Sequence, residues 1–193
     1  ATVVVNAAGP WVDTLRKKNS SLHGKRLHLT KGVHIVVPYH RLPVKQAIYF
    51  DVDDGRMIFA IPRGRITYIG TTDTDYKDSQ DEVTTSYEDV AYLLRAVNAT
   101  FPSANLQVAD VESSWAGLRP LIHEDGKSAS ELSRKDEIFE SDTGLISIAG
   151  GKLTGYRKMA ERVVSLVIGK YEWSKKLKAC FTQSIKLPGA LMD

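Results

Sequence analysis

Three side chains in this sequence are suited to moving a proton or holding an anion: the imidazole of His34, the guanidinium of Arg119 and the ammonium of Lys152. His34 lies in Leu27-His-Leu-Thr-Lys-Gly-Val-His-Ile-Val-Val-Pro38, where strand alternation puts it on one face with Val36 and puts Val33, Ile35 and Val37 on the other. An imidazole has an unperturbed pKa of ~6.5 and accepts a proton near neutrality, yet a strand histidine serves equally as a packing residue. Arg119, in Trp115-Ala-Gly-Leu-Arg-Pro-Leu121, reads as a strand-end arginine, either held for bidentate contact with an anion or forming a surface ion pair. Lys152 follows two glycines in Gly144-Leu-Ile-Ser-Ile-Ala-Gly-Gly-Lys-Leu-Thr-Gly-Tyr-Arg157. Gly150 and Gly151 let a ligand approach the backbone, and a helix expected from near Thr154 offers unpaired N–H groups to an anion. The same residues also make a plain tight connection.

Those groups need elements to position them. Thr2-Val-Val-Val-Asn-Ala-Ala-Gly-Pro-Trp11 reads as a buried-type strand ending in small residues, where a parallel sheet commonly meets its ligand. Trp11 to Lys18 predicts a short amphipathic helix, and Asn19 to Ser21 a polar turn. Leu27 to Pro38, Gln46 to Phe50, Arg56 to Ile61 and Ile66 to Thr71 are β-rich runs, separated by the turn residues of a mainly antiparallel sheet. Ser86 with Asp89 makes a capping box for a helix that places Tyr87, Val90, Ala91, Leu94, Val97 and Phe101 on one stripe. Further strands are expected at Leu106 to Leu118 and Asp136 to Glu140. A last helix carries Tyr156, Met159, Ala160, Val163, Val164 and Val167 on one face and stops at Gly169. The fold class is therefore α+β, with an antiparallel sheet covered by helices.

Composition bounds the function. Of 193 residues, 42% are hydrophobic and 25% charged, ordinary for a globular fold. A net charge of +3, from 26 basic and 23 acidic residues, makes no case for a nucleic-acid partner. The single Cys180 excludes an internal disulfide, fits a reducing compartment and reads as structural. No apolar run approaches the ~18 residues of a membrane span. His28, His123 and the other histidines show no metal-ligand spacing, so no metal is expected.

Taken in order, Thr2 to Trp11, Lys31-Gly-Val-His34, Tyr68-Ile-Gly-Thr-Thr-Asp-Thr-Asp75, Trp115 to Leu121 and Gly144 to Arg157 resemble the FAD-dependent glycerol-3-phosphate dehydrogenases, members of a flavoprotein superfamily that includes amino-acid oxidases. The likeness runs from residue 1 to about 168. It implies FAD as cofactor, contacted by Asn6, Ala8, Gly9, Gly150, Gly151, Lys152, Leu153 and Thr154, on returning strand and helix edges of a Rossmann-like domain. It implies that His34 takes the hydroxyl proton of glycerol 3-phosphate and that Arg119, Lys152 and Arg134 bind the anionic substrate. Thr71, Thr72 and Asp73 match a family signature, but short polar residues at a strand end read first as turn and cap devices. Gly155 departs from the pattern, since many relatives have a threonine there.

The resemblance divides the chain into residues 1–18 and 144–169 as edges of the FAD domain, 19–143 as a substrate-binding domain, and 170–193 as the start of a C-terminal region. No G-x-G-x-x-G occurs, so the chain is expected to be a middle segment that alone holds no FAD and is inactive. The implied reaction makes dihydroxyacetone phosphate and passes electrons to quinone, in the cytoplasm with peripheral membrane contact. A glycerol phosphate oxidase, another flavin oxidase, or a cofactor-free module without turnover remain open alternatives.

Overall fold

The β-branched and aromatic runs between residues 27 and 70 form four strands of one sheet, and the residues around it decide which face is covered. The computed structural model describes residues 1–123, 135–171 and 177–189; Arg134 lies outside them. In chain order the elements are β1 (Val4–Asn6), α1 (Val12–Lys18), β2 (Leu27–Pro38), β3 (Ile48–Asp51), β4 (Met57–Arg63), β5 (Ile66–Gly70), β6 (Thr74–Asp75), α2 (Tyr87–Thr100), β7 (Ser113–Ile122), β8 (Asp136–Glu140), β9 (Leu145–Gly150) and α3 (Tyr156–Lys170). Contacts group the described residues into two units. The first holds Ala1–Leu27 and the described residues from Leu121 onward, and the second holds His28–Pro120.

The second unit is built on an antiparallel sheet of order β3-β4-β5-β2-β6, with β7 also pairing β2. Gly55 at φ 78° and Gly64 at φ 61° supply the left-handed turns of its first two hairpins. The register sets His34 opposite Gly70 and Gly70 opposite Phe59, which aligns one residue on each of three adjacent strands. On the opposite face Val33, Ile35, Val37, Ile58, Ala60 and Ile69 pack against Leu93, Leu94, Ala96 and Val97 of α2.

The capping box at α2 forms as the sequence predicts, with Asp89 N–H donating to Ser86 Oγ and Ser86 N–H donating to Asp89. The buried stripe is rotated from the predicted one: Tyr87 is 69% exposed, whereas Leu93 is fully buried. The cause is Asp89, drawn inward to accept a hydrogen bond from Lys31 Nζ at 2.6 Å, which turns the 89–93–96–97 stripe toward the sheet. The strand predicted over Leu106 to Leu118 instead starts at Ser113 and continues through Arg119 and Pro120 to Ile122. Ahead of it, Asn98 exchanges two hydrogen bonds with the Leu106 backbone and Arg41 pairs with Asp110, so side chains satisfy this segment in place of a ladder. Arg119 is therefore a mid-strand residue. Pro120 is tolerated beside it because β7 pairs with β2 alone among the described strands.

The first unit has a three-stranded sheet of order β1-β9-β8, with β1 parallel and β8 antiparallel to β9. β1 is not the buried strand its composition predicts. Val4 and Val5 are 53% and 43% exposed, because among the described strands β1 has a neighbour, β9, on one side only. The α3 face also differs: Met159, Val163, Leu166 and Val167 pack on Ile146 and Ile148, while Tyr156, Ala160 and Val164 are exposed. Cys180 is exposed with its Sγ 3.2 Å from Thr182 Oγ1, which removes the packing role read from the sequence. Among the described residues no helix is long and apolar enough to cross a membrane, and no group of three His, Cys, Asp or Glu side chains is placed to hold a metal.

Candidate functional site

Arg119 is held from three directions in the second unit. Its Nη1 donates to the Thr72 carbonyl at 3.1 Å and to Asp73 Oδ1 at 3.2 Å, and its Nη2 donates to Thr71 Oγ1 at 2.9 Å. The segment between β5 and β6 can do this because Thr72 is buried and stitched to β2: Val33 N–H donates to its Oγ1, which donates in turn to the Lys31 carbonyl. With Thr72 pointing inward, alternation sends the neighbouring side chains of Thr71 and Asp73 the other way, onto the guanidinium. Gly32 makes the room. A Cβ built there would come within 2.6 Å of the Arg119 guanidinium carbon.

His34 sits beside this clamp in a slot of rings. Its imidazole stacks on the Trp115 indole at 4.8 Å between centroids and 8° between planes, and lies 5.5 Å from Phe59. Tyr68 closes the circuit, 6.0 Å from Phe59 and 5.9 Å from Trp115. Gly70 is the floor, since a Cβ there would stand 2.8 Å from His34 Nε2. His34 Nδ1 is buried without a hydrogen-bond partner among the described residues. Burial first, and the Arg119 charge second, hold the imidazole pKa below its ordinary value, so the neutral, proton-accepting form prevails at neutral pH. Gly117, between Trp115 and Arg119 on the same strand, has nothing within 4 Å of its Cβ position. The face thus carries a neutral base on β2 and, on β7, a fixed cation and an open gap.

The first unit presents backbone where the second presents side chains. Gly9, at φ 57°, follows Asn6, whose buried side chain donates to the Val12 carbonyl and to Ser147 Oγ. Asn6 therefore braces the turn from within, and its amide is committed to the protein. Gly150 and Gly151 have φ of 75° and 81°. The sequence suggests that they clear space for a ligand, but their own chain fills that space: a Cβ on Gly151 would meet Met159 Sδ at 2.7 Å, and one on Gly150 would meet Ile122 Cγ1 at 3.2 Å and the Lys135 carbonyl. Beyond them Lys152, Leu153 and Thr154 are exposed, Leu153 at 90%. A 3-10 turn at Leu153–Gly155 leads into α3, and no side chain caps either start.

Asp73, Thr71, Trp115, Phe59, Gly32 and Gly70 were not among the site residues expected from the sequence. One signal was available: Trp115, Gly117 and Arg119 are spaced by two, as are Gly32 and His34, so each set shares a strand face. The pairing of Arg119 with Asp73 carried no such signal, because it spans 46 residues of chain.

One unit carries this sheet face and the other a parallel strand pair ending at glycines. Residues 1–157 match the family described as DAO, FAD dependent oxidoreductase, and the chain belongs to that family. Within it, the chain is similar to the aerobic glycerol-3-phosphate dehydrogenase of Bacillus subtilis (strain 168), with 55% identity over 191 residues covering 98% of this chain and 34% of the relative. The Staphylococcus aureus (strain COL) counterpart is 51% identical over 98% of this chain and 34% of its own length. A solved glycerol-3-phosphate dehydrogenase from Bacillus halodurans, complexed with FAD, superposes with a TM-score of 0.87 at 57% identity, over 100% of this chain and 36% of that one. Glycine oxidase from Geobacillus kaustophilus shares the fold, with a TM-score of 0.53 at 21% identity over 97% of this chain and 45% of that one. The chain spans about a third of the length of the curated relatives it matches. The family resemblance and the α+β fold class read from the motifs are both borne out.

Proposed function

We propose that this chain forms the substrate-contacting sheet and one cofactor-contacting edge of a longer enzyme that oxidises sn-glycerol 3-phosphate to dihydroxyacetone phosphate. The observation that carries this reading is a partly buried imidazole, held neutral, beside a guanidinium fixed by three hydrogen bonds. A proton acceptor and an anion partner are what oxidation of a phosphorylated secondary alcohol requires. The names of relatives at 51–55% identity support the substrate.

FAD binding by the whole protein is supported by the family and by the relative solved with FAD. The residues here fit one edge of such a group: Lys152, Leu153 and Thr154 are exposed, the following helix start is uncapped, and no acidic residue lies in its first turn. Bound FAD supplies the acceptor for the hydride that leaves C2. His34 takes the C2 hydroxyl proton on its imidazole, and Arg119 neutralises the phosphate. Lys152 neutralises anionic charge at its own edge, and Ala8 and Gly9 would contact the group there, with Gly150 and Gly151 shaping the turn that presents Lys152. Arg134, outside the described residues, is a further anion contact.

In this reading residues 1–18 and 144–169 belong to the FAD domain, 19–143 to the substrate domain and 170–193 to a C-terminal region. Electrons pass to quinone at the inner face of the membrane, where the protein docks from the cytoplasm. The 193 residues alone hold no FAD and do not turn over, since no G-x-G-x-x-G is among them. The test is anaerobic single-turnover reduction of the flavin in the complete protein. His34→Gln should slow it about 10²- to 10⁴-fold while substrate affinity changes little. Reduction at the wild-type rate would remove His34 as the base. The isolated chain should stay colourless after incubation with excess FAD, and a stoichiometric yellow complex would contradict that part.

A further inference from the structure

Histidine bases are commonly oriented by a carboxylate or carbonyl that accepts a hydrogen bond from the second ring nitrogen. Among the described residues His34 has no such partner: Nδ1 is buried and unbonded, and its ring contacts are with Trp115 and Phe59. We propose that Trp115 is the positioning residue of His34, orienting the imidazole by face-to-face stacking over the gap left by Gly70. This rests on the reading of His34 as the proton acceptor and adds the element that fixes it.

The geometry leaves few other candidates. Rotation of the imidazole about its χ angles is limited on one side by the near-parallel indole and on the other by the β5 backbone, where a side chain at Gly70 would collide with the ring. Phe59 contributes a tilted contact at 38° that fills space without setting a plane. Trp115 is itself held by Tyr68 and by its place in β7, two residues from Gly117 and four from Arg119. It is also 47% exposed, more than a residue kept for core packing. An aromatic stack adds about 0.5 to 1.5 kcal/mol beyond area burial, a preference for one ring orientation of about two- to tenfold.

Stacking also excludes water from one imidazole face. Among the described residues, the charged groups that bear on His34 are Arg119 on β7 and, through it, Asp73 from the segment before β6, while Tyr68 on β5 meets Phe59 and Trp115. Trp115 thus bears on both the orientation of the base and the pH at which it becomes competent.

The experiment uses the complete protein with FAD, comparing Trp115→Phe and Trp115→Leu, which both keep apolar bulk in the slot. Flavin reduction by glycerol 3-phosphate is followed anaerobically across pH. In the chain, the His34 ring resonance is identified by its loss in His34→Gln and titrated by NMR. Trp115→Phe should keep the reduction rate within about threefold and the midpoint below ~6.5. Trp115→Leu should lose about five- to tenfold in rate at little changed KM, and its His34 midpoint should move up toward ~6.5. Equal behaviour of the two variants, in rate and midpoint, would overturn the positioning role. If His34→Gln itself reduced flavin at the wild-type rate, the base assignment would fall. The NMR midpoints of the Phe and Leu variants would still decide whether Trp115 orients the ring.

Discussion

The second unit fixes its candidate groups with side chains acting on side chains, and the first unit exposes backbone shaped by glycine. Around Arg119 a carboxylate, a hydroxyl and a carbonyl converge, and around His34 two aromatic rings do, with Tyr68 bracing both. Around Gly150 and Gly151 the determinants are two left-handed φ values and contacts with the unit's own core. The helix starts repeat the contrast. α2 is closed by a reciprocal capping box, and α3 begins with no side-chain cap. A site of the first kind fails when one side chain is lost, whereas one of the second kind fails when a side chain is gained.

The largest effect separating the two should come from Arg119→Ala in the complete protein. Removing a desolvated anion partner should raise KM for glycerol 3-phosphate by a factor corresponding to roughly 2 to 5 kcal/mol. Steady-state kinetics that changed by less than about twofold would break the comparison at its strongest point.

Next in size is Asp89→Ala, which strands the ammonium of Lys31 in a pair whose side chains are only 14% and 7% exposed. The loss should be about 3 kcal/mol by urea unfolding, at the low end for breaking a buried pair because Lys31 keeps some solvent. The pH dependence has a definite sign. Burial pushes the Asp89 carboxyl up, but hydrogen bonds from Lys31 and Ser86 outweigh it and leave the pKa below its ordinary 3.8. Its stabilisation is therefore full above ~4 and lost as pH falls through the lower folded value. Asp89→Ala should flatten that acid limb, and an unchanged limb would assign it to other carboxylates.

Gly151→Ala tests the backbone side of the contrast. With φ at 81° and Met159 Sδ at 2.7 Å from the added Cβ, the substitution should cost roughly 1 to 3 kcal/mol. Lys152→Ala, one residue on and exposed, should stay within about 0.5 kcal/mol by the same measurement while weakening FAD retention. Equal stability losses at 151 and 152 would show that side chains matter here as well.

The smallest effect is Ser86→Ala, which removes half of the capping box. Helix α2 should lose about 1 kcal/mol, seen as faster amide exchange in its first turn. Unchanged exchange would mean that Asp89 alone secures the helix start.

Much of this was legible in the chain because it depends on neighbours in sequence. Alternation in β2 separates His34 from Val33, Ile35 and Val37, the turn glycines mark the hairpins, and Ser86 with Asp89 announces α2. The strand predicted at Leu106 failed because Asn98 and Arg41 offered that segment other partners, which no local pattern reveals. Val4 and Val5 misled for a related reason: β-branched residues specify a strand but not whether both of its faces are covered.

Local sequence by itself determined the period of each element, the conformations that only glycine adopts readily and the family to which the motifs belong. Tertiary structure alone decided what each polar group touches. Asp73 meets Arg119 across 46 residues and Lys31 meets Asp89 across 58, pairs formed when distant strands and a helix are brought together. Trp115 reaches His34 in the same way, from a different strand. Short-range sterics and hydrogen bonding act within a few residues and are written in order along the chain. Desolvation, stacking and charge pairing act through space, and they set the pKa of His34 and the pose of Arg119 only once the sheet is assembled.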